Sequence, residues 1–272
     1  MEASGSAEVP AKDRPRESGG LFRGVLIGLF LIPWTMLWGT VTILAAFVKS
    51  ASLFQTGVGW WSRGILGLGG ITLDIRYDVP LDSSKQYVFL SNHQSALDIP
   101  ALILATAKTH DVRFMAKESL FKIPFMGWGM SRNGFVPIRR ESARAAAEMF
   151  QEILSDKSKL GYSYLIFPEG TRSPDGRLQP IKRGTLGLAM RLGRPVVPVT
   201  LIDACRANPK NTYAVRSGTI GIRFHAPIEI PAEGADRSFR DALSNQVYES
   251  IRAPLPPEQQ PVAGTNTSPD AE

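Results

Sequence analysis

The sequence contains little cysteine and little histidine: one cysteine, Cys205, and three histidines among 272 residues. A single thiol excludes an internal disulfide and a metal site built from several cysteines, and it fits a reducing compartment. The histidines, His93, His110 and His225, form no pair at the spacing typical of metal ligands. We therefore predict that the protein binds no metal.

The sequence also lacks a run of lysine and arginine residues and a platform of aromatic residues interleaved with basic ones. Nucleic-acid-binding chains are usually recognised by such features, so we predict no nucleic-acid partner. The basic excess is moderate, with 31 Lys and Arg residues against 25 Asp and Glu residues. This balance favours an anionic partner, such as a phospholipid surface, a phosphorylated substrate or coenzyme A.

Charged residues are missing between Arg23 and Lys49, and the stretch between them is strongly apolar. A helix of about 25 residues would span roughly 37 Å, which exceeds the ~30 Å hydrocarbon core of a bilayer. The charged leader before it is too long for a cleaved signal peptide. The stretch therefore predicts a membrane-embedded segment.

The segment that follows, residues 50–70, is less apolar and carries Trp60, Trp61 and Arg63. Adjacent tryptophans beside an arginine are typical of the lipid headgroup boundary. Two arrangements fit these residues. One is a single membrane span followed by an interfacial helix, and the other is a two-helix hairpin that enters one leaflet without crossing the bilayer.

From Ile71 onward the sequence has an α/β pattern. Short apolar or alternating stretches predict strands, and several of the segments between them have helical periodicity. The predicted strands cover residues 71–77, 86–90, 112–116, 135–138, 164–167, 195–201 and 219–226. This alternation predicts a mixed, largely parallel sheet flanked by helices, with the ligand at the carboxyl ends of the strands.

Composition divides the chain into four parts. Residues 1–20 are mostly polar or charged, and residues 253–272 are rich in Pro and Gln with acidic ends, so we expect both to be disordered. Residues 21–70 form the predicted membrane-anchoring helical segment. Residues 71–252 form the α/β domain, which we expect to fold without the anchor because its core begins near Ile71.

The stretch Asn92-His93-Gln94-Ser95-Ala96-Leu97-Asp98 lies between a predicted strand and a predicted helix. A turn there lets the Asp98 carboxylate reach back to the His93 imidazole. A histidine held by an aspartate is the arrangement that makes a hydroxyl nucleophilic, because the carboxylate fixes the tautomer and stabilises the imidazolium. The pair alone also fits a structural histidine near a helix start.

Three further stretches change this interpretation: Gly134 to Arg140, Phe167 to Ser173 and Val196 to Val199. Together with Asn92 to Asp98, in this order and at this separation, they resemble the four motif blocks of the glycerolipid acyltransferases, and most closely the bacterial 1-acyl-glycerol-3-phosphate acyltransferases. The resemblance implies the glycerol-3-phosphate acyltransferase-like α/β fold over about residues 71–252. For residues 21–70 it favours the hairpin.

The resemblance also implies the substrate-binding residues. Arg139 follows a predicted strand and could hold a phosphate through its guanidinium fork. Glu169, Gly170, Thr171 and Arg172 would belong to the acceptor site, which Lys182, Arg183 and Gly184 would extend. Glu169 has two interpretations: its carboxylate bonds the glycerol hydroxyls, or it holds Arg172 or a loop N–H in place. Lys117 is either a further phosphate or oxyanion contact or a surface lysine.

The implied activity is acyl transfer from acyl-CoA or acyl-carrier protein to the sn-2 hydroxyl of lysophosphatidic acid, with His93 as general base and Asp98 as its orienting group. The enzyme would act without a resident cofactor, at the cytoplasmic face of the inner membrane. Two alternatives remain open: another lysolipid acceptor, such as a lyso-ornithine lipid or a lysophospholipid, or a catalytically inactive membrane lipid-binding protein.

Overall fold

The structure is a computed structural model that describes residues 17–107, 109–138, 151, 153–156, 159–231 and 236–262. The helices are α1 (Glu17–Phe47), α2 (Ala51–Gly69), α3 (Asp98–Thr106), α4 (Met126–Arg132), α5 (Gly187–Leu192), α6 (Ala204–Ala207) and α7 (Arg237–Arg252). The strands are β1 (Ile71–Tyr77), β2 (Val88–Ser91), β3 (Val112–Lys117), β4 (Val136–Ile138), β5 (Ser163–Ile166), β6 (Val196–Ile202) and β7 (Gly218–Phe224).

The seven strands form one sheet in the order β1-β7-β6-β2-β5-β3-β4. The five strands from β6 to β4 are mutually parallel, whereas β7 is antiparallel to β6 and parallel to β1 at the edge. The predicted mixed, largely parallel sheet is therefore confirmed. Because β2, β5, β3 and β4 run in one direction, the loops that follow them meet at one edge of the sheet.

The central strand β2 separates two hydrophobic clusters, one on each face of the sheet. Phe89 packs in the cluster that contains α3, while Val88 and Leu90 on the opposite face pack in the cluster that contains α7. Alternate residues of a strand point to opposite faces, so a strand covered on both sides is apolar throughout. All four residues of β2 are buried, as this arrangement requires.

Helices α1 and α2 form an antiparallel hairpin. Trp34 Nε1 donates to the Trp61 carbonyl at 3.1 Å, and Trp61 Nε1 donates to Thr35 Oγ1 at 3.0 Å. Ser50 caps α2, since its Oγ accepts from the Leu53 N–H at 3.2 Å. Among the described residues one helical stretch, residues 21–47, is long and apolar enough to cross a membrane.

The hairpin begins earlier than the predicted anchor and is not an appendage of the α/β domain. Helix α1 starts at Glu17, within the range predicted to be disordered; residues 1–16 lie outside the described part. Ile65 and Leu66 of α2 belong to the same buried cluster as Phe89 and Leu102. The structure thus argues against the expectation that the α/β core folds without residues 1–70, because α2 covers one face of the sheet.

The chain after α7 also differs from the expected disordered tail. Leu255 is buried, a short 3-10 turn follows at Pro257–Gln259, and Gln259 is only 1% exposed. Composition did not show this, because a few buried residues between prolines and polar side chains leave no periodic pattern. The expectation of disorder for residues 263–272 falls outside the described residues.

We expect Leu66→Ala, at a residue that is 3% exposed, to lower the free energy of unfolding by about 2–5 kcal/mol, the usual effect of truncating a buried leucine. The matched control is Leu68→Ala, two residues along α2 and 45% exposed, which should change it by less than about 0.5 kcal/mol. Denaturant titration of the detergent-solubilised protein measures both. Equal small effects would mean that α2 serves only as an anchor.

Candidate active site

The turn after β2 is fixed to the neighbouring strand by the side chain of Asn92. Its Nδ2 donates to the Leu201 carbonyl at 2.9 Å, and its Oδ1 accepts from the Leu201 N–H at 2.7 Å. The amide thus occupies both backbone hydrogen-bonding groups of Leu201, just beyond Ser91 and Val199, the last paired residues of β2 and β6. This contact sets where the chain leaves the sheet, one residue before His93.

Asp98 is the first residue of α3, and its carboxylate is fully buried beneath the turn. Oδ2 lies 2.7 Å from His93 Nδ1 and also accepts from the backbone N–H groups of Gln94 at 2.7 Å and Ser95 at 2.9 Å. The turn therefore wraps around one oxygen atom. With Nδ1–H donating to this carboxylate, His93 Nε2 is left as a proton acceptor.

The His93 ring is held on its face as well as at Nδ1. It stacks on Phe167 with a centroid separation of 3.9 Å and an interplanar angle of 13°. Its side chain retains 16% exposure, whereas the aspartate behind it has none. The arrangement is a fixed imidazole with an accessible edge, which can take a proton from a hydroxyl placed beside it.

The turn that carries His93 is bound to the loop after β5. The His93 N–H donates to Glu169 Oε1 at 3.1 Å, and the His93 carbonyl accepts from the Ser173 N–H at 2.7 Å. Of the two interpretations of Glu169 from the sequence, this contact matches the one in which the carboxylate holds a loop N–H. It also places the two main motif blocks in direct contact.

Glu169 is 3% exposed, and its Oε2 has no hydrogen-bond partner among the described residues. Burial raises the pKa of this carboxyl well above its ordinary value near 4.5, since a buried charge loses its hydration. The hydrogen bond from the His93 N–H opposes this shift, and the nearby Asp98 charge adds to it. The folded protein therefore favours the protonated form of Glu169 over a wider pH range than the unfolded chain does.

The outer part of the same loop is basic. Gly170 has φ +74°, and a Cβ there would lie 3.3 Å from the Cδ, Cε and Nζ atoms of Lys182, so the lysine side chain lies directly over the glycine. Thr171 is exposed. The guanidinium of Arg172 makes no hydrogen bond or ion pair with the part of the chain that is described. These cations could hold an anion beside His93.

Lys210 is a further residue of this rim that the sequence did not indicate. Its Nζ donates to the Arg172 carbonyl at 2.6 Å and lies 3.4 Å from Thr171 Oγ1. Its charge lowers the pKa of Glu169, against the larger effect of burial. It lies 38 residues after Arg172 in a loop without a recognisable motif, so only the folded chain brings the two together.

Lys117 and Arg139 are two further residues that were predicted from the sequence to contact the substrate, with a surface lysine as the alternative for Lys117. Lys117 is the exposed last residue of β3 and pairs with Ile138, the last residue of β4. Strand β5 lies between β3 and β2, so Lys117 is two strand spacings, or about 10 Å, from the strand that precedes His93. Arg139, the next residue after Ile138, lies outside the described residues.

The chain is similar to known proteins over most of its length. A sequence profile described as acyltransferase matches residues 74–202, the range that contains all four motif blocks. A 1-acyl-sn-glycerol-3-phosphate acyltransferase of Limnanthes douglasii is 30% identical over 208 residues, which cover 74% of this chain and 72% of that protein. The chain belongs to the acyltransferase family. The resemblance found in the sequence is thereby confirmed.

Two further matches define how far this family membership reaches. A chloroplast 1-acyl-sn-glycerol-3-phosphate acyltransferase of Brassica napus is 38% identical over 147 residues, covering 54% of this chain and 42% of that relative. The chain spans about half the length of the chloroplast acyltransferases that it matches. The crystal structure of the 1-acyl-sn-glycerophosphate acyltransferase of Thermotoga maritima superposes with a TM-score of 0.70 at 22% identity, covering 88% of this chain and 97% of that one. This similarity shows a shared fold.

We expect Glu169→Gln to stabilise the protein increasingly as the pH rises. A carboxyl group whose pKa is higher in the folded protein than in the unfolded chain lowers the free energy of unfolding as the pH rises above about 4.5, its ordinary pKa. This loss stops once the pH exceeds the pKa of the group in the folded protein. Glutamine keeps an oxygen for the His93 N–H and cannot ionise. The gain should increase from about pH 5 to pH 8, because the unfolded chain ionises at residue 169 while burial opposes ionisation in the folded protein.

Denaturant titrations between about pH 5 and pH 8 measure this difference. Glu229→Gln is the control, because Glu229 is exposed and should give no pH-dependent gain. A constant difference between Glu169→Gln and the unsubstituted protein across this range would contradict a raised pKa for Glu169.

Proposed function

We propose that the protein transfers a fatty acyl group from an acyl thioester to the sn-2 hydroxyl of 1-acyl-sn-glycerol 3-phosphate, giving phosphatidic acid. The observation that carries this proposal is the 2.7 Å contact between His93 Nδ1 and the buried Asp98 carboxylate, at the sheet edge where the basic loop after β5 also lies. The family membership and the names of the relatives support the choice of substrate.

In the proposed reaction His93 acts as the general base. Nε2 accepts the proton of the glycerol hydroxyl while the hydroxyl oxygen attacks the carbonyl carbon of the thioester. Asp98 stabilises the imidazolium that forms. The tetrahedral intermediate then breaks its C–S bond, and the proton on His93 passes to the departing thiolate. No acyl-enzyme is required, because the acceptor oxygen itself attacks the donor.

The acceptor phosphate would bind at the basic rim. The guanidinium of Arg172 has no partner among the described residues, and Lys182 and Lys210 place two more cations around the loop that holds Glu169. Lys117 and Arg139 are proposed as further contacts at the ends of the next two strands. A phosphate bound here would lie on the same edge of the sheet as His93, with the acceptor hydroxyl toward Nε2.

The acceptor is a lipid, and one surface of the protein suits a membrane. Large apolar side chains of α1 are exposed along its length, among them Phe22, Leu29, Ile32 and Phe47. Ile123, just before α4, and Trp128, within α4, are also exposed. Helix α4 packs on α1. We propose that this continuous apolar face enters one leaflet at the cytoplasmic face of the inner membrane.

The decisive assay uses purified protein, acyl-CoA or acyl-carrier protein as donor, and a panel of lysolipid acceptors. We expect transfer to lysophosphatidic acid, and His93→Ala should reduce it by roughly 100- to 10,000-fold because the general base is lost. Asp98→Asn tests the orienting group and should also reduce it strongly. A His93→Ala variant that kept more than a tenth of the rate would remove His93 from the base role, and transfer only to another lysolipid would replace the acceptor.

Arg172→Ala should weaken acceptor binding by roughly 10- to 100-fold, since a phosphate loses a charge-assisted hydrogen bond. The defect should appear as a raised KM for lysophosphatidic acid, with the KM of the donor unchanged. Arg76→Ala is the control, because Arg76 is 74% exposed on the edge strand β1, which runs opposite to β2. A defect confined to the donor KM would reassign Arg172 to the donor site.

A further inference from the structure

The side chain next to His93 in the sequence is buried and joins three other parts of the chain. Gln94 Nε2 donates to the Gly176 carbonyl at 3.0 Å and to Gln259 Oε1 at 2.9 Å. Its Oε1 accepts from the Cys205 N–H at 3.4 Å. The amide therefore connects the turn of His93 to the loop after β5, to α6 and to the segment after α7.

Gln259 is the partner that comes from the segment after α7, and it is as deeply buried as Gln94. Its Oε1 also accepts from the Asp203 N–H at 3.3 Å, and its Nε2 donates to Asp203 Oδ1 at 2.6 Å. Its carbonyl accepts from the Leu178 N–H at 3.0 Å. Both ends of the Gln259 amide are thus used within the carboxyl-end edge of the sheet.

The backbone of Gln94 is part of the hydrogen-bonding around the general base. Its N–H donates to Asp98 Oδ2 at 2.7 Å, on the oxygen that also contacts His93 Nδ1. The side chain and the N–H belong to the same residue, so a displacement of the Gln94 side chain would also displace one of the three groups that donate to this carboxylate. Buried amides keep fixed positions only when their partners are present, because an unpaired polar group is costly in a low-dielectric interior.

We propose that Gln259 is a positioning residue for the acyl transfer, acting through Gln94 on the turn that presents His93 and Asp98. This inference rests on the proposed function. It assigns a catalytic consequence to the segment of residues 253–262, which lies more than 150 residues away in the sequence from the turn that it supports. Within the described part of the chain, the hydrogen bonds of the Gln259 side chain go to Gln94 and Asp203 and not to the His93 ring.

The matched pair Gln259→Ala and Gln260→Ala tests the proposal. Gln260 is the adjacent glutamine, and its Nε2 donates to the carbonyls of Arg252 and Leu255 at the end of α7, so its side chain does not reach the turn of His93. We expect Gln259→Ala to lower kcat by roughly 10- to 100-fold, as small misplacements of reacting groups do, with both KM values within about twofold. Gln260→Ala should leave kcat within about threefold of the unsubstituted enzyme.

Hydrogen–deuterium exchange supplies a readout that does not depend on turnover. The backbone amides of Gln94 and Ser95 should exchange faster in Gln259→Ala and at the original rate in Gln260→Ala. If Gln259→Ala fails to fold, Gln259→Met keeps most of the volume and removes only the amide. Failure of both variants to fold would assign Gln259 to overall stability and overturn the positioning role.

The proposal would also be overturned if Gln259→Ala left kcat unchanged, or if Gln260→Ala lowered kcat by the same factor. A defect of Gln259→Ala confined to KM would overturn it as well. Unchanged exchange at the turn would do the same. An inactive unsubstituted enzyme in the acceptor panel would instead remove the proposed function, and the exchange experiment would still decide whether Gln259 holds the turn. The two failures are therefore distinguishable.

Discussion

The structure of the site depends on one buried carboxylate oxygen. Asp98 Oδ2 receives hydrogen bonds from His93 Nδ1 and from two backbone N–H groups of the turn between β2 and α3. A buried carboxylate without donors would be very unfavourable, so the turn must close around it. The same contacts that satisfy the charge therefore fix the imidazole, which means that folding of the turn and placement of the base are one event.

A second buried carboxylate lies on the other side of the same backbone. Glu169 binds the His93 N–H, while Asp98 binds the His93 side chain, so one residue is held at both its main chain and its ring. The two carboxylates influence each other, and the Asp98 charge raises the pKa of Glu169. Basic side chains then occupy the outer side of the loop, where Lys182 is exposed and Arg172 and Lys210 are partly exposed. The interior of the site thus holds two buried carboxyl groups, and its rim is cationic.

The sequence predicted those parts of the site that local spacing determines. The succession of a strand, a turn and a helix can be recognised from residues that are close in the sequence. We could therefore anticipate the contact between His93 and Asp98, and approximately where β2, β3 and β5 end. Lys210 and Gln259 could not, because their partners lie far away in the sequence and neither residue belongs to a periodic element. Whether residues 21–70 cross the bilayer or enter one leaflet stays a prediction. The packing of α2 on the α/β domain was not predicted, since apolar composition does not distinguish a helix that packs on a protein core from one that only enters lipid.

Under the proposed function, the hairpin would also fix a site for a lipid substrate relative to a bilayer. Helix α2 shares a buried cluster with α3, and Asp98 is the first residue of α3. Helix α1 packs on the outer side of α2 and carries the exposed apolar face. A rigid path of two packed helices therefore joins the surface suited to lipid and the helix that positions the general base. Because close-packed interiors transmit displacements, a tilt of α1 would act on α3 through α2, and under the proposed function the depth of the hairpin in a leaflet would set the height of His93 above it.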